Sequence, residues 1–395
     1  MIVAKPVFEV ADIISAHSCE LLVEGKLHAH QKKVFTNLVK CRTIDMGFHK
    51  DKCNNPNCKH IQISYNSCRD RHCPKCNGLK REQWVAEREK DLLPVKYYHV
   101  VFTVPDKLNP LFLKNPVLLF NLLFRSAWET VNEFGHDHKH LGAQTGMTCI
   151  LHTWGQNLAF HPHLHCLIPA GGITKNGKWR YTKSKGKFLF PVKALSAVFR
   201  GKLTDGLIKL DKKGIISLPQ KFIKSKKYLH PYYNTPWIVY AKLPMHNARQ
   251  VINYISRYSH RIAISNHRIK AIDKGQVTFS YFNYRTSKAG TIQLKAKDFL
   301  QRFALHILPP GFMKIRHYGI LSSKNKSECI AKVREELENV LTRQQDSSMK
   351  HAKSKVSYRT CPICKNGQMI LIEIHRPKNK GSPKYLVPGY PFSSL

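Results

Sequence analysis

From residue 8 to residue 40 the apolar positions Ile13, Ile14, Leu21, Leu22, Phe35, Leu38 and Val39 recur at mixed spacings of three and four, the repeat of a helix with one buried face. A small helical lead-in is expected there. The stretch from Leu79 to Leu93 is charged, contains no Gly or Pro, and reads as a helix closed by Pro94. The pattern then changes. Tyr97 to Val104 (YYHVVFTV) is apolar, β-branched and aromatic and stops at Pro105, which predicts a buried strand. Asn115 to Phe134 returns to helical periodicity and ends near Gly135. Thr148 to Trp154 and His163 to Ile168 are strand-like runs with a short connection containing Gly, Gln and Asn, so a hairpin is expected. Further on, Pro191 to Leu210 is helical by pattern, Trp237 to Lys242 is strand-like, Asn247 to Ser259 is a helix, and Val277 to Asn283 with Thr291 to Leu294 forms another hairpin. A charged helix from Ser322 to about Arg343 leads into a polar tail.

This order, β, α, β, β, α, β, α, predicts an α+β fold with a small antiparallel sheet and helices packed on one face. At 395 residues the chain is long enough for two or three units. The expected division is a helical lead-in at 1–40, a cysteine-rich module at 41–93, a catalytic domain at 94–322, and a charged helix and polar tail at 323–395.

Charge narrows the class of partner. Lys and Arg total 65 against 25 Asp and Glu, a formal net charge of +40, far more than solubility requires, so a polyanion is the natural partner. The excess is concentrated. Between Phe134 and Ser327 there is no Glu, and the Asp residues are Asp137, Asp205, Asp211, Asp273 and Asp298 alone. That scarcity argues against a nuclease built on three carboxylates. Basic residues there alternate with aromatics, as in Lys226-Lys227-Tyr228 and Tyr281-Phe282-Asn283-Tyr284-Arg285, a composition suited either to phosphate contacts with base stacking or to a solvated basic face over an aromatic core. Met1 to Val10 lacks the apolar run of a signal peptide and no apolar stretch is long enough to span a bilayer, so a cytoplasmic, nucleoid-associated protein is expected, with no membrane partner.

In that compartment 12 cysteines point to thiolate ligation rather than to disulfides. Cys53-Asn-Asn-Pro-Asn-Cys58 and Cys73-Pro-Lys-Cys76 supply two close pairs on a span that can fold back, the spacing that tetrahedral zinc requires. Cys53, Cys58, Cys73 and Cys76 are the expected ligands, with Cys68 an alternative and Cys41, His60 and His72 further donors for a replacement or a second ion. Arg69 and Arg71 beside them are candidate DNA contacts. Cys361-Pro-Ile-Cys364 is half a site: a pair awaiting His375 or another partner, or a chance spacing.

His161-Pro-His163-Leu-His165 sits in a strand-like run, where alternate side chains share a face and His163 and His165 can converge on one ion. With 22 His in the chain, roughly one such pair arises by chance, and His136-Asp-His138-Lys-His140 is a second triple. Context separates them: Leu164, Cys166, Leu167 and Ile168 anchor the first in a buried strand, whereas the second follows a helix end. His152 on the neighbouring strand is the leading third ligand, expected opposite His165, with Gln156, His161 and His260 as rivals.

Tyr254 and Tyr258 stand at i and i+4 in a segment of helical pattern and share one helix face, with Arg257, His260 and Arg261 supplying positive charge. Two tyrosines packed on a sheet would give the same pattern.

Taken together, YNSCRDRHCPKC (Tyr65 to Cys76), HTWGQNLAFHPHLHC (His152 to Cys166), YISRYSHRIAISNHR (Tyr254 to Arg268) and LPPGFMKIRHYG (Leu308 to Gly319) resemble the rolling-circle insertion-sequence transposases of the two-tyrosine HUH (His-hydrophobe-His) nuclease class, IS91-like, over about residues 10 to 325. The resemblance implies a catalytic divalent metal, Mg or Mn, on His163 and His165, Tyr254 and Tyr258 as nucleophiles toward single-stranded DNA, and a zinc-binding DNA-recognition module before the nuclease. Arg257 and Arg261 would contact the DNA. No G-x-x-x-x-G-K-[ST] sequence is present, so strand separation would fall to host replication or helicase factors. A plasmid replication initiator or relaxase would use the same chemistry, and a zinc DNA-binding protein without catalysis would share the cysteines.

Overall fold

The N-terminal helical repeat forms three short helices in the computed structural model: α1 (Val10–His17), α2 (Cys19–Val23) and α3 (Ala29–Lys40). The structure describes residues 6–76, 85, 87–88, 91–183, 189–218, 237, 239–241, 251, 262–283, 286–324, 326–341 and 359–376. Two helix starts are fixed by local capping, with the Glu9 N–H donating to the Asp12 carboxylate (2.8 Å) and the His28 N–H to the Gln31 amide oxygen (2.9 Å). The apolar faces of these helices do not close on one another alone. Val10, Ile13, Leu21, Phe35 and Leu38 share one core with Ile264, Val277, Phe279, Phe299 and Phe303. The lead-in is therefore packed onto the later part of the chain.

Next comes a hairpin of β1 (Phe48–Cys53) and β2 (Ile61–Tyr65), which the sequence pattern did not announce because its residues are mostly polar. The central unit follows: β3 (Tyr97–Thr103), α4 (Asn109–Lys114), α5 (Pro116–His136), β4 (Gly146–Trp154), β5 (Phe160–Pro169), β6 (Gly171–Ile173), β7 (Trp179–Tyr181), α6 (Val192–Lys212) and β8 (Val239–Ala241). After it come β9 (Ile269–Asp273), β10 (Gln276–Asn283), β11 (Lys288–Lys295), α7 (Ala296–Leu305), β12 (Ile315–Gly319), α8 (Lys326–Leu341) and β13 (Met369–His375). The β9–β11 meander and α7 carry the residues on which α1–α3 pack. The strand β13 returns to pair antiparallel with β1, giving a three-stranded sheet of order β13-β1-β2.

The main sheet has five antiparallel strands in the order β12-β4-β5-β3-β8, so β5 is central and flanked by β4 and β3. Alternation along β5 assigns its two faces. Leu164, Cys166 and Ile168 join Val100, Phe102, Met147, Cys149 and Leu151 in the largest core, under Leu123, Phe124, Phe199 and Leu203 of α5 and α6. Phe102, Phe124 and Phe199 are wholly buried there, each worth about 1.5–3 kcal/mol of transfer free energy. The opposite face presents His163, His165 and Leu167. It is partly covered by a smaller cluster in which Tyr97, Ile150 and Leu167 meet Ile330, Val333 and Leu337 of α8. Helices thus reach the sheet from both sides, the two long ones on the side away from the histidines.

β12 docks on β4 through a tight exit at Gly319, whose φ of +59° lies in the left-handed region. A Cβ there would come 2.1 Å from the Thr145 carbonyl oxygen. Among the described residues, no helix is long and apolar enough to cross a membrane.

Candidate metal centres

Ligand nitrogens of His152, His163 and His165 lie within 4.8 Å of one another. The strand register explains why. His152 of β4 pairs directly with His163 of β5, and His165 is two residues along the same face. His152 therefore sits opposite His163 rather than opposite His165, whose own partner on β4 is Ile150. His152 and His165 are buried and His163 is half-buried, so the cluster opens on the His163 side. The Trp154 ring stacks on His152 with centroids 4.5 Å apart and planes 19° from parallel, which holds that imidazole in place.

Hydrogen bonds fix which ring nitrogens face inward. The Nδ1–H of His163 donates to the His161 carbonyl oxygen (2.7 Å), so its Nε2 carries the lone pair. Nδ1 of His165 is 2.9 Å from Nε2 of His99, a buried histidine on β3 whose ring lies 13° from parallel to it. With that Nδ1–H donating, the Nε2 of His165 also presents a lone pair, and the two Nε2 atoms stand 3.1 Å apart. A shared proton or a cation between them satisfies both nitrogens at that distance. Two nitrogens held about 2.1 Å from one ion at roughly a right angle are themselves about 3 Å apart, so the pair fits a divalent metal. Three neutral imidazoles would leave the charge of such an ion uncompensated, which favours phosphate oxygens at the open positions.

His99 was missed in the sequence because strand parity and register, not composition, bring it to His165. Its one visible signal was a histidine inside an otherwise apolar strand. The rivals for third ligand fall elsewhere. His161 faces Asp106 (3.2 Å), the Gln156 carbonyl oxygen accepts a hydrogen bond from Arg268, and His260 lies outside the described residues. The second histidine triple spans the end of α5 and the turn after it, with His140 stacked on Phe134.

The cysteines form two groups, and neither is the expected quartet. Cys73 and Cys76 join Cys41 and Cys68, whereas Cys53 and Cys58 join Cys361 and Cys364, every sulfur within 4.8 Å of the others in its group. The physical reason is the β1–β2 hairpin. Cys53 and Cys58 flank its turn, while Cys41 and Cys68 lie near its open end beside the Cys73-Pro-Lys-Cys76 knuckle. In the first group the Cys41 and Cys76 sulfurs are 3.4 Å apart and those of Cys68 and Cys76 3.6 Å, near the roughly 3.8 Å edge of a tetrahedron with zinc–sulfur bonds of about 2.3 Å. Backbone N–H groups of Cys68 and Asp70 point at the sulfurs of Cys41 and Cys68, stabilising thiolates. Hydrogen bonds with Cys68 and Cys73 lower the Cys41 thiol to about 7.

Arg71, read as a DNA contact, is turned inward: its guanidinium donates to the carbonyl oxygens of Leu308, Pro309 and Phe312. His72 beside it accepts the Leu308 N–H (3.1 Å) and meets Asp70 through its other ring nitrogen (3.0 Å). This latch ties the first cysteine group to the loop before β12, within the LPPGFMKIRHYG sequence. Arg69 is exposed, at a φ of +55°. Tyr254, Tyr258, Arg257 and Arg261 lie outside the described residues.

Comparison with known proteins supplies the family. Residues 146–328, which contain β4, β5 and the histidines, match a family described as "Putative transposase", and residues 13–104 match the "Transposase zinc-binding domain". The chain is 38% identical over 381 residues to "Putative transposase y4qJ" of Sinorhizobium fredii, covering 93% of this chain and 95% of that one. The chain belongs to the IS91-like transposases. It is also 28% identical over 340 residues to the "Transposase for insertion sequence element IS801" of Pseudomonas savastanoi pv. phaseolicola, covering 82% and 79% of the two chains. No solved structure matches. For a transposase the two matched segments divide as the cysteines and histidines do, with the first cysteine group wholly inside the zinc-binding segment and Cys361 and Cys364 outside both.

Proposed function

We propose that this transposase cleaves and rejoins single-stranded DNA at insertion-sequence ends through a 5′-phosphotyrosine intermediate. The observation that carries the reading is the pair of inward-facing Nε2 atoms of His163 and His165, 3.1 Å apart with His152 alongside on the paired strand. A divalent ion on these residues, Mg or Mn, would polarise the scissile phosphate and orient it for in-line attack. His99 and the His161 carbonyl orient the two rings, and the rigid β4–β5 pair holds them at the opening beside His163.

Tyr254 and Tyr258 are assigned as the nucleophiles. A tyrosine oxygen attacks phosphorus, the P–O3′ bond breaks, the leaving 3′ oxygen takes a proton, and the 5′ phosphate stays linked to the enzyme. Attack by a 3′-OH of another strand reverses the step without ATP. Val251, three residues before Tyr254, is buried with Ile150 and Leu167 on the histidine side of the sheet. By sequence pattern alone, positions 251, 254 and 258 would share one helix face, which is the ground for assigning both tyrosines to this reaction. Arg257, Arg261 and Arg69 would neutralise phosphates, in keeping with the net charge of +40. Cys41, Cys68, Cys73 and Cys76 are assigned a structural zinc that stiffens the recognition module, and host factors would open the duplex.

The test incubates the full chain with a labelled single-stranded oligonucleotide carrying the element end and Mn²⁺, then looks for a covalent adduct on a denaturing gel. Peptide mass spectrometry names the attacked residue. Adduct formation should vanish in Tyr254→Phe/Tyr258→Phe and in His163→Ala/His165→Ala. A full-strength adduct in the double tyrosine variant would refute the nucleophile assignment, and one in the double histidine variant the metal site.

A further inference from the structure

We propose that Cys53, Cys58, Cys361 and Cys364 form a second four-thiolate zinc site, which fastens the C-terminal segment 359–376 to the N-terminal module. The residues come from two pairs more than 300 positions apart in sequence: Cys58 and Cys361 are separated by 303 residues and Cys53 and Cys364 by 311. Their sulfurs are 3.8 and 3.6 Å apart respectively, at and just below the tetrahedral edge of about 3.8 Å expected for thiolates around one zinc ion. Cys53 and Cys361 are almost wholly buried, at 3% and 0% exposure, with Met369 packed beside the group. Buried thiols at these separations, with no disulfide among them, fit a shared ion.

The surrounding backbone is shaped for ligation. The Gly367 N–H points at the Cys364 sulfur (3.3 Å), and the Cys361 N–H donates to the Gly367 carbonyl oxygen (2.7 Å), closing a tight knuckle in which Lys365 takes a φ of +57°. A Cβ on Gly367 would stand 2.4 Å from the Cys53 sulfur, so the knuckle is pressed against the other pair. The two halves are also joined by main chain. β13 pairs with β1 along its whole length, the Asn54 N–H donates to the Gln368 carbonyl oxygen (2.9 Å), and the Gln368 N–H donates to the Asn54 side-chain oxygen (2.7 Å). This is a ribbon assembled from both ends of the described chain. It does not depend on the nuclease reading.

Zinc content of the full chain, measured by inductively coupled plasma mass spectrometry, tests the site. Cys361→Ser/Cys364→Ser should bind one zinc fewer per chain than the parent, Cys53→Ser/Cys58→Ser likewise one fewer, and all four together still only one fewer. Cys364→His, which keeps a ligand, should retain the ion. In the unaltered protein all four thiols should resist alkylation, against rapid labelling of the exposed Cys19, until a chelator is added. With a protease site inserted between residues 341 and 359, the cleaved C-terminal fragment should co-elute with the body of the protein and separate on chelation. An unchanged zinc count in the Cys361→Ser/Cys364→Ser protein would overturn the proposal. So would native alkylation of Cys361 and Cys364 at the rate of Cys19, or a disulfide between the two pairs.

Discussion

Replacing His99 by Ala removes a buried hydrogen-bond partner of the His165 Nδ1, and the effect on the metal centre can be sized from the geometry. The bond is 2.9 Å long between residues 2% and 9% exposed, so no bulk water takes its place. Leaving a buried donor unpaired costs about 1–3 kcal/mol, and loss of a residue that orients a metal-bound histidine weakens binding by about 10–100-fold. The two figures agree, since each decade of affinity is about 1.4 kcal/mol. The expected outcome is therefore a rise of one to two decades in the Mn²⁺ dissociation constant, read from free Mn²⁺ by electron paramagnetic resonance. Strand cleavage at saturating Mn²⁺ should change much less. His99→Gln, which returns an acceptor, should recover part of the loss. His161→Ala is the control: His163 bonds to the main-chain oxygen of residue 161, so its affinity should stay within about twofold of the parent. A folded His99→Ala protein with parental Mn²⁺ affinity would refute the orienting role.

Arg71→Ala should lower stability by about 2–4 kcal/mol in urea unfolding, because three loop carbonyls lose a charged donor, whereas exposed Lys107→Ala should stay within about 0.5 kcal/mol. An equal effect of the two would contradict the latch. Gly319→Ala should destabilise by at least about 2 kcal/mol, since a left-handed backbone and the Thr145 carbonyl both oppose a Cβ; a melting midpoint unchanged from the parent would rule this out. Burial pushes His306 down to about 4, while the unfolded imidazole titrates near 6.5, so protons favour the unfolded chain between those values. Its contribution is complete above pH 6.5 and declines as pH falls toward 4, by at most roughly 3 kcal/mol. His306→Gln should flatten that stretch of the urea midpoint against pH, and an unaltered slope would count against it.

Periodicity located β3, β4, β5, α5 and α6 to within a few residues because each is a long run with a single dominant repeat. It missed β1, whose middle is a run of charged and polar residues, the five-residue β2, and β13, an apolar run lying in a polar tail; all three form a thin, largely exposed sheet. The convergence of His163 and His165 was legible from strand parity alone. The pairing of His152 with His163, the place of His99 and the partition of the cysteines were not, because each depends on which residue of one strand faces which residue of another. Arg71 shows the same limit in another form: its charge suggested a phosphate, and its neighbours in space are carbonyls.

The pairing of β13 with β1 also has a meaning in time. During synthesis β1 emerges first, and the segment that covers its free edge follows only after about 300 further residues, roughly 15–60 s at ordinary elongation rates. For that interval the edge opposite β2 has no β13 to pair with, and an unpaired edge can join another chain. A product that stops short of residue 369 never gains that strand. Completion of the N-terminal module thus reports that synthesis has passed residue 375.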